Sequence, residues 1–188
     1  MEALYYVVLG SVVMLILGVL KTRYFGFVGQ NPEDYKNATG EALDLRRHLN
    51  GPISCEGVIY GPTGRVTSRF VGDFEAHWEG NTGVMKELFT YSDGSVQNRE
   101  WNLTLGNDGR VKATAADVVG EGEGTQSGPS LQLRYRIKLP EDAGGHVLDT
   151  VDWMYLAPNG TIINRSQFRK FGIKVAELVA TMRPKSTV

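Results

Sequence analysis

A chain of 188 residues with 20 Lys and Arg against 21 Asp and Glu has room for one main domain and no electrostatic footprint for nucleic acid. Its one Cys excludes an intramolecular disulfide framework and a cysteine-based structural zinc site, and Cys55 reads as a small buried hydrophobe. His48, His77 and His146 stand far apart, in no HxH or HExxH arrangement, so no metal site and no cofactor is nominated.

Ala3 to Leu20 carries no charge. At about 1.5 Å per residue the run is roughly 27 Å long, close to the ~30 Å hydrocarbon core of a bilayer. Lys21 and Arg23 end it, and Tyr24, Phe25 and Phe27 follow as interfacial aromatics should. Residues 1–23 are therefore expected to be an uncleaved transmembrane anchor. A cleavable signal would want a basic leading region and a small-residue cleavage site, and a lipoprotein signal a Cys just after the apolar run. Lys21, Arg23 and Lys36 lie on the C-terminal flank and no Lys or Arg on the other, which places the soluble domain on the cytoplasmic side, with the periplasmic side as the alternative.

Residues 24–42 read as a polar linker that lifts the domain off the membrane. Leu43, Leu45 and Leu49 precede Asn50-Gly51 and point to a short helical turn packed under the domain. From Ile53 onward, turn signals such as Ser92-Asp93-Gly94, Asn107-Asp108-Gly109 and Pro158-Asn159-Gly160 separate alternating runs. In one run Val66, Ser68, Phe70, Gly72, Phe74, Ala76 and Trp78 share a face, with a charged opposite face. Leu131, Leu133, Tyr135, Ile137 and Leu139 alternate equally cleanly with Gln132, Arg134, Arg136 and Lys138. Eight or nine strands are expected, at 53–60, 65–79, 84–91, 95–105, 110–118, 130–139, 146–156, 161–169 and 173–182. The GEGEG run from Gly120 to Gly124 reads as a bulged, strongly bent stretch rather than a phosphate loop. Short connections and the need to remove sheet edges favour an antiparallel up-and-down barrel over residues 43–184, followed by a tail at 185–188. A two-sheet sandwich is the runner-up.

Polar groups inside apolar strand patterns are the candidate lining: Arg99, Trp101, Glu121, Asp152, Trp153, Tyr155, Asn164 and Arg165. Convergent polar groups in an apolar concavity make a ligand pocket, with the charges meeting a polar head and the aromatics an apolar tail. Without a ligand the same charges would pair internally, Asp152 with Arg165 and Glu121 with Arg99 or Lys170, since unpartnered buried charge is costly. No catalytic motif is present; Asp152, Glu121 or Tyr155 would be the acid or base if the barrel were an enzyme.

The phrases FTYSDGSVQNREW (Phe89–Trp101), DVVGE (Asp117–Glu121), DWMY (Asp152–Tyr155) and INRSQFRKFGIKVAE (Ile163–Glu177) resemble the DUF3833 family, bacterial proteins of uncharacterised function. The resemblance covers about Leu43 to Arg183 and is closest to alphaproteobacterial members. It implies a lipocalin-like build and a bacterial membrane address, here the inner membrane. Many members look like lipoproteins; this chain departs from them in having an apolar span and no lipobox Cys. The expected function is that of a membrane-anchored lipocalin-like binding or scaffolding protein, with the bilayer and a lipid-like ligand as partners. The alternative is a single-span accessory subunit of a larger membrane complex, its helix docking through Gly10, Ser11 and Gly18. An enzyme acting on a lipid or pigment is the third reading.

Overall fold

The computed structural model describes residues 1–185, except the side chains of Thr22, Arg23 and Asp142, so the flanking charge of Arg23 and tail residues 186–188 lie outside the described residues. Helix α1 (Glu2–Tyr24) is apolar around its whole circumference, and none of Glu2–Lys21 is buried against the rest of the chain. By length and composition it qualifies as a membrane-spanning helix or a signal sequence.

Residues 27–43 lie along the outside of the barrel as a strap. Two short 3-10 turns, Phe27–Gly29 and Pro32–Tyr35, shape it. Asn31 and Asp34 close a capping box at the second, which accounts for the turn at Asn-Pro-Glu-Asp. The Leu43 amide donates to the Gly128 carbonyl at 2.9 Å, and Gln126 Nε2 donates to the Leu43 carbonyl at 2.6 Å. Gly128 has φ +52°, and a Cβ there would collide with the Tyr35 carbonyl, so only glycine lets the strap pass this close.

Helix α2 (Leu45–His48) is one turn, capped by the Asp44 carboxylate accepting from the Arg46 amide at 3.0 Å. Leu43, Leu45 and Leu49 are buried and plug one end of the barrel. Trp78 Nε1 donates to the Leu49 carbonyl at 2.7 Å and ties the plug to the wall.

Ten strands form the wall: β1 (Gly51–Tyr60), β2 (Val66–Glu79), β3 (Thr82–Tyr91), β4 (Val96–Leu105), β5 (Arg110–Thr114), β6 (Gly122–Ser127), β7 (Ser130–Lys138), β8 (Val147–Leu156), β9 (Ile162–Lys170) and β10 (Ile173–Pro184). Each pairs antiparallel with its neighbours in sequence, and β1 closes onto β10 from Ile53↔Pro184 to Tyr60↔Glu177. The expected up-and-down barrel is the fold; the count of eight or nine strands was too low. The added strand is β6, inside the GEGEG region. Of its three inward positions, Gly122, Gly124 and Gln126, two are glycine, and a Cβ on Gly124 would lie 2.8 Å from the Gln132 carbonyl oxygen. With glycine and glutamine in place of apolar inward side chains, β6 carries no periodic signal.

The wall has one irregular seam. β5 pairs with β4 only from Asn102↔Thr114 to Leu105↔Val111. Beyond Thr114 the chain turns away, and Asp117–Val119 runs instead beside the far half of β7, with Val118 bridging Ile137. Positions 96–101 of β4 therefore lack a ladder on this side, and the expected strand 110–118 ends at Thr114.

Candidate functional site

Strand alternation decides which side chains can meet inside. Cys55 and Ile59 on β1, Phe70 and Phe74 on β2, Met85, Glu87, Phe89 and Tyr91 on β3, and Gln97, Arg99, Trp101 and Leu103 on β4 point inward. From the opposite wall come Leu131, Leu133, Tyr135 and Ile137 on β7, Asp152 and Met154 on β8, Asn164 and Ser166 on β9, and Leu178, Ala180 and Met182 on β10. Between them is a cavity of about 620 Å³, mostly apolar, within the size range of small-molecule sites. α2 closes one end. At the other, the cavity reaches Leu139, Pro140, Ala143 and Leu148 below the loop that joins β7 to β8.

A polar group crosses this apolar space. Arg99 and Glu87 are register partners on β4 and β3. The Arg99 guanidinium lies over the Trp101 ring, 4.1 Å from its centroid, and Nε donates to Asp117 Oδ1 at 3.0 Å. On the far wall the Tyr135 hydroxyl donates to Asp152 Oδ2 at 3.1 Å. Burial pushes the Glu87 carboxyl up to about 7, with Asp152 and Asp117 adding to the rise against the pull of Arg99. Burial likewise lifts Asp152 to about 6, against hydrogen bonds from Ser166 and Tyr135. Glu87 Oε2, Arg99 Nη2, Thr150 Oγ1 and Asp152 Oδ1 are buried without a hydrogen-bond partner among the described residues. Gln132 Nε2, Trp153 Nε1 and Arg169 Nε, off the cavity lining, are also without one. The atoms of Glu87, Arg99 and Asp152 differ in belonging to residues that line one cavity, where a bound molecule would complete them.

The seam between β4 and the chain after β5 meets the lumen at this point. An outer cleft of about 800 Å³ lies along it, with Lys86, Glu100, Asn102 and Thr114 in its walls. Glu87, Gln97, Arg99 and Asp117 border both spaces, so the Arg99–Asp117 ion pair partitions the cleft from the lumen.

Of the residues nominated from sequence, Arg99, Trp101, Asp152 and Asn164 do line the cavity. Trp153, Tyr155 and Arg165 do not; they occupy the outer face beneath the strap. Side chains alternate across a strand, so Trp153 cannot share a face with Asp152. Trp153 and Tyr155 stack at 5.9 Å between centroids, and Tyr35 packs 5.2 Å from Trp153. The hydroxyls of Tyr35 and Tyr155 both donate to Gln30 Oε1. Arg165 lies over the Phe27 ring at 4.8 Å and pairs with Glu177 at 2.7 Å. Glu121 is outside as well, paired with Lys112 at 2.7 Å. The expected internal pairs Asp152–Arg165 and Glu121 with Arg99 or Lys170 therefore do not form. Arg99 takes Asp117, Arg165 takes Glu177, and Asp152 faces the lumen.

Glu87, Asp117 and Tyr135 are members of the polar group that sequence reasoning passed over. Glu87 had a legible signal, an acid on the otherwise apolar face Met85, Phe89, Tyr91 of its strand. Asp117 had none, because its inward position depends on the chain leaving the β5 ladder.

The model of the family described as "Protein of unknown function (DUF3833)" matches residues 22–184. No curated protein sequence matches the chain. Among solved structures, an S-type phycobiliprotein lyase, CPES, from Guillardia theta is similar with a TM-score of 0.58 at 8% identity, over 85% of this chain and 99% of that one. Rv2717c from M. tuberculosis is similar with a TM-score of 0.55 at 15% identity, over 78% of this chain and all of that one. At such identities the likeness is one of fold.

Proposed function

The chain belongs to the DUF3833 family, and from that premise we propose that it is a membrane-tethered barrel that binds one apolar molecule with a polar end in its lumen. The observation that carries this reading is the cavity of about 620 Å³, apolar over most of its lining and crossed by buried polar atoms without partners. A site of this kind holds an apolar body by burial and fixes its orientation through few polar contacts. The fold it shares with the Guillardia theta lyase and Rv2717c is a barrel suited to ligand binding or scaffolding. Helix α1 supports the tether: it has the length of a span, and no protein surface covers its apolar faces. Proximity to the bilayer suits a ligand that partitions into lipid.

The full chain, extracted in mild detergent from its own membrane, is expected to carry a small molecule that mass spectrometry of an organic extract detects at near-equimolar ratio. Ala176→Trp, which fills the lumen near its unplugged end, is expected to lose it. A clean extract from the parent, or one identical to that of a well-folded Ala176→Trp protein, would overturn the reading.

A further inference from the structure

The charge balance of the lumen narrows the class of ligand, an inference that rests on the lumen being the binding site. Among the described residues lining the cavity, Glu87, Asp117 and Asp152 are acids and Arg99 is the one cation. Arg99 Nε is committed to Asp117. The same guanidinium also pulls on Glu87, its register partner, and on Asp152, so one cation is shared among three acids. Glu87 and Asp152 are buried, 7% and 6% exposed, and each keeps an oxygen with no hydrogen-bond partner among the described residues, Oε2 of Glu87 and Oδ1 of Asp152. Buried acids must either hold a proton or face a positive charge. We infer that the lumen takes a cationic apolar molecule, a protonated amine or related nitrogen cation on an aliphatic or aromatic body, whose charge is held by the Glu87 and Asp152 carboxylates.

The surroundings suit such a ligand. Trp101, Tyr135, Phe89 and Tyr91 present ring faces and edges to the same space. Rings attract a cation and cost an apolar body nothing. An anionic ligand would find Arg99 Nη2 unpartnered, yet it would bring its charge beside three acids that already share that one guanidinium.

Binding is coupled to protons. The groups facing Glu87 are Tyr91 on its own strand, Cys55 from β1, Arg99 from β4, Asp117 after β5, Tyr135 from β7 and Asp152 from β8. With burial raising both acids, the empty lumen holds protons near neutral pH that a bound cation displaces. Binding therefore weakens as the pH falls from 8 to 5.

The test is isothermal titration calorimetry of the full chain in dodecyl maltoside at pH 8, with 4-phenylbutylamine, 4-phenylbutan-1-ol and 4-phenylbutanoate as matched probes and micelle blanks subtracted. The amine is expected to bind at least tenfold more tightly than the other two at pH 8, to release protons into the buffer when the titration is repeated at pH 6.5, and to lose most of that preference at pH 5. In Glu87→Gln/Asp152→Asn the preference for the amine is expected to disappear while the alcohol binds as before. Should the double variant fail to fold, the pH comparison on the parent protein decides alone. Equal binding of alcohol and amine, or preference for the carboxylate, would overturn the cation and leave the lumen site standing. Binding of none of the three would overturn both.

Discussion

Replacing Glu87 by Gln should make the unliganded barrel more stable, by an amount that grows from about pH 5 and levels off above about pH 7. A carboxyl whose folded value exceeds its unfolded one binds protons more strongly in the folded state. Its contribution favours folding at low pH and declines as pH rises through the window between the two values. For Glu87 that window runs from the ordinary 4.5 to about 7. Above it the ionised, buried carboxylate costs the folded state about 3 kcal/mol; at pH 5 the cost is below about 1 kcal/mol. Glutamine keeps the shape and removes the titration. The melting temperature of Glu87→Gln, followed by circular dichroism of the full chain in detergent, should exceed that of the parent at pH 8 by up to about 10 °C and nearly match it at pH 5. Identical pH profiles for the two proteins, or a variant less stable at pH 8, would refute the claim that burial of this acid outweighs the pull of Arg99.

Burial pushes the Cys55 thiol up to about 12, so iodoacetamide at pH 8 should leave it unmodified in the folded protein and alkylate it in urea, as a mass shift reports. Trp153→Ala removes a fully buried ring from beneath the strap; it should cost about 3 kcal/mol in urea unfolding and speed proteolysis between residues 27 and 40. Asp117→Asn strips Arg99 of its ionic partner at the seam and should cost about 2 kcal/mol, measured the same way.

The architecture was readable because its causes are local. Period-2 alternation and Asp-Gly or Asn-Gly turns mark each hairpin, and the hairpin turns Gly94 and Gly109 adopt φ +87° and +81°, a region that glycine enters freely. Closure followed from edge avoidance across many short connections. β6 escaped notice because two of its wall positions are glycines chosen for backbone approach rather than side-chain packing. The candidate site was legible by halves. Arg99, Trp101, Asp152 and Asn164 were nominated as polar or aromatic residues within apolar strands and do share the lumen. Trp153, Tyr155 and Arg165 were nominated by the same reasoning and serve the strap instead.

Composition and pattern alone determined the apolar N-terminal rod, the antiparallel meander and its closure, because helical length, alternation and turn chemistry act over a few residues. Tertiary structure alone decided which acids share the lumen, which aromatics are covered by residues 27–43, and that Arg99 takes Asp117. Those pairings join residues on different strands, and they depend on barrel register and on where one strand abandons its neighbour. No short-range pattern encodes either.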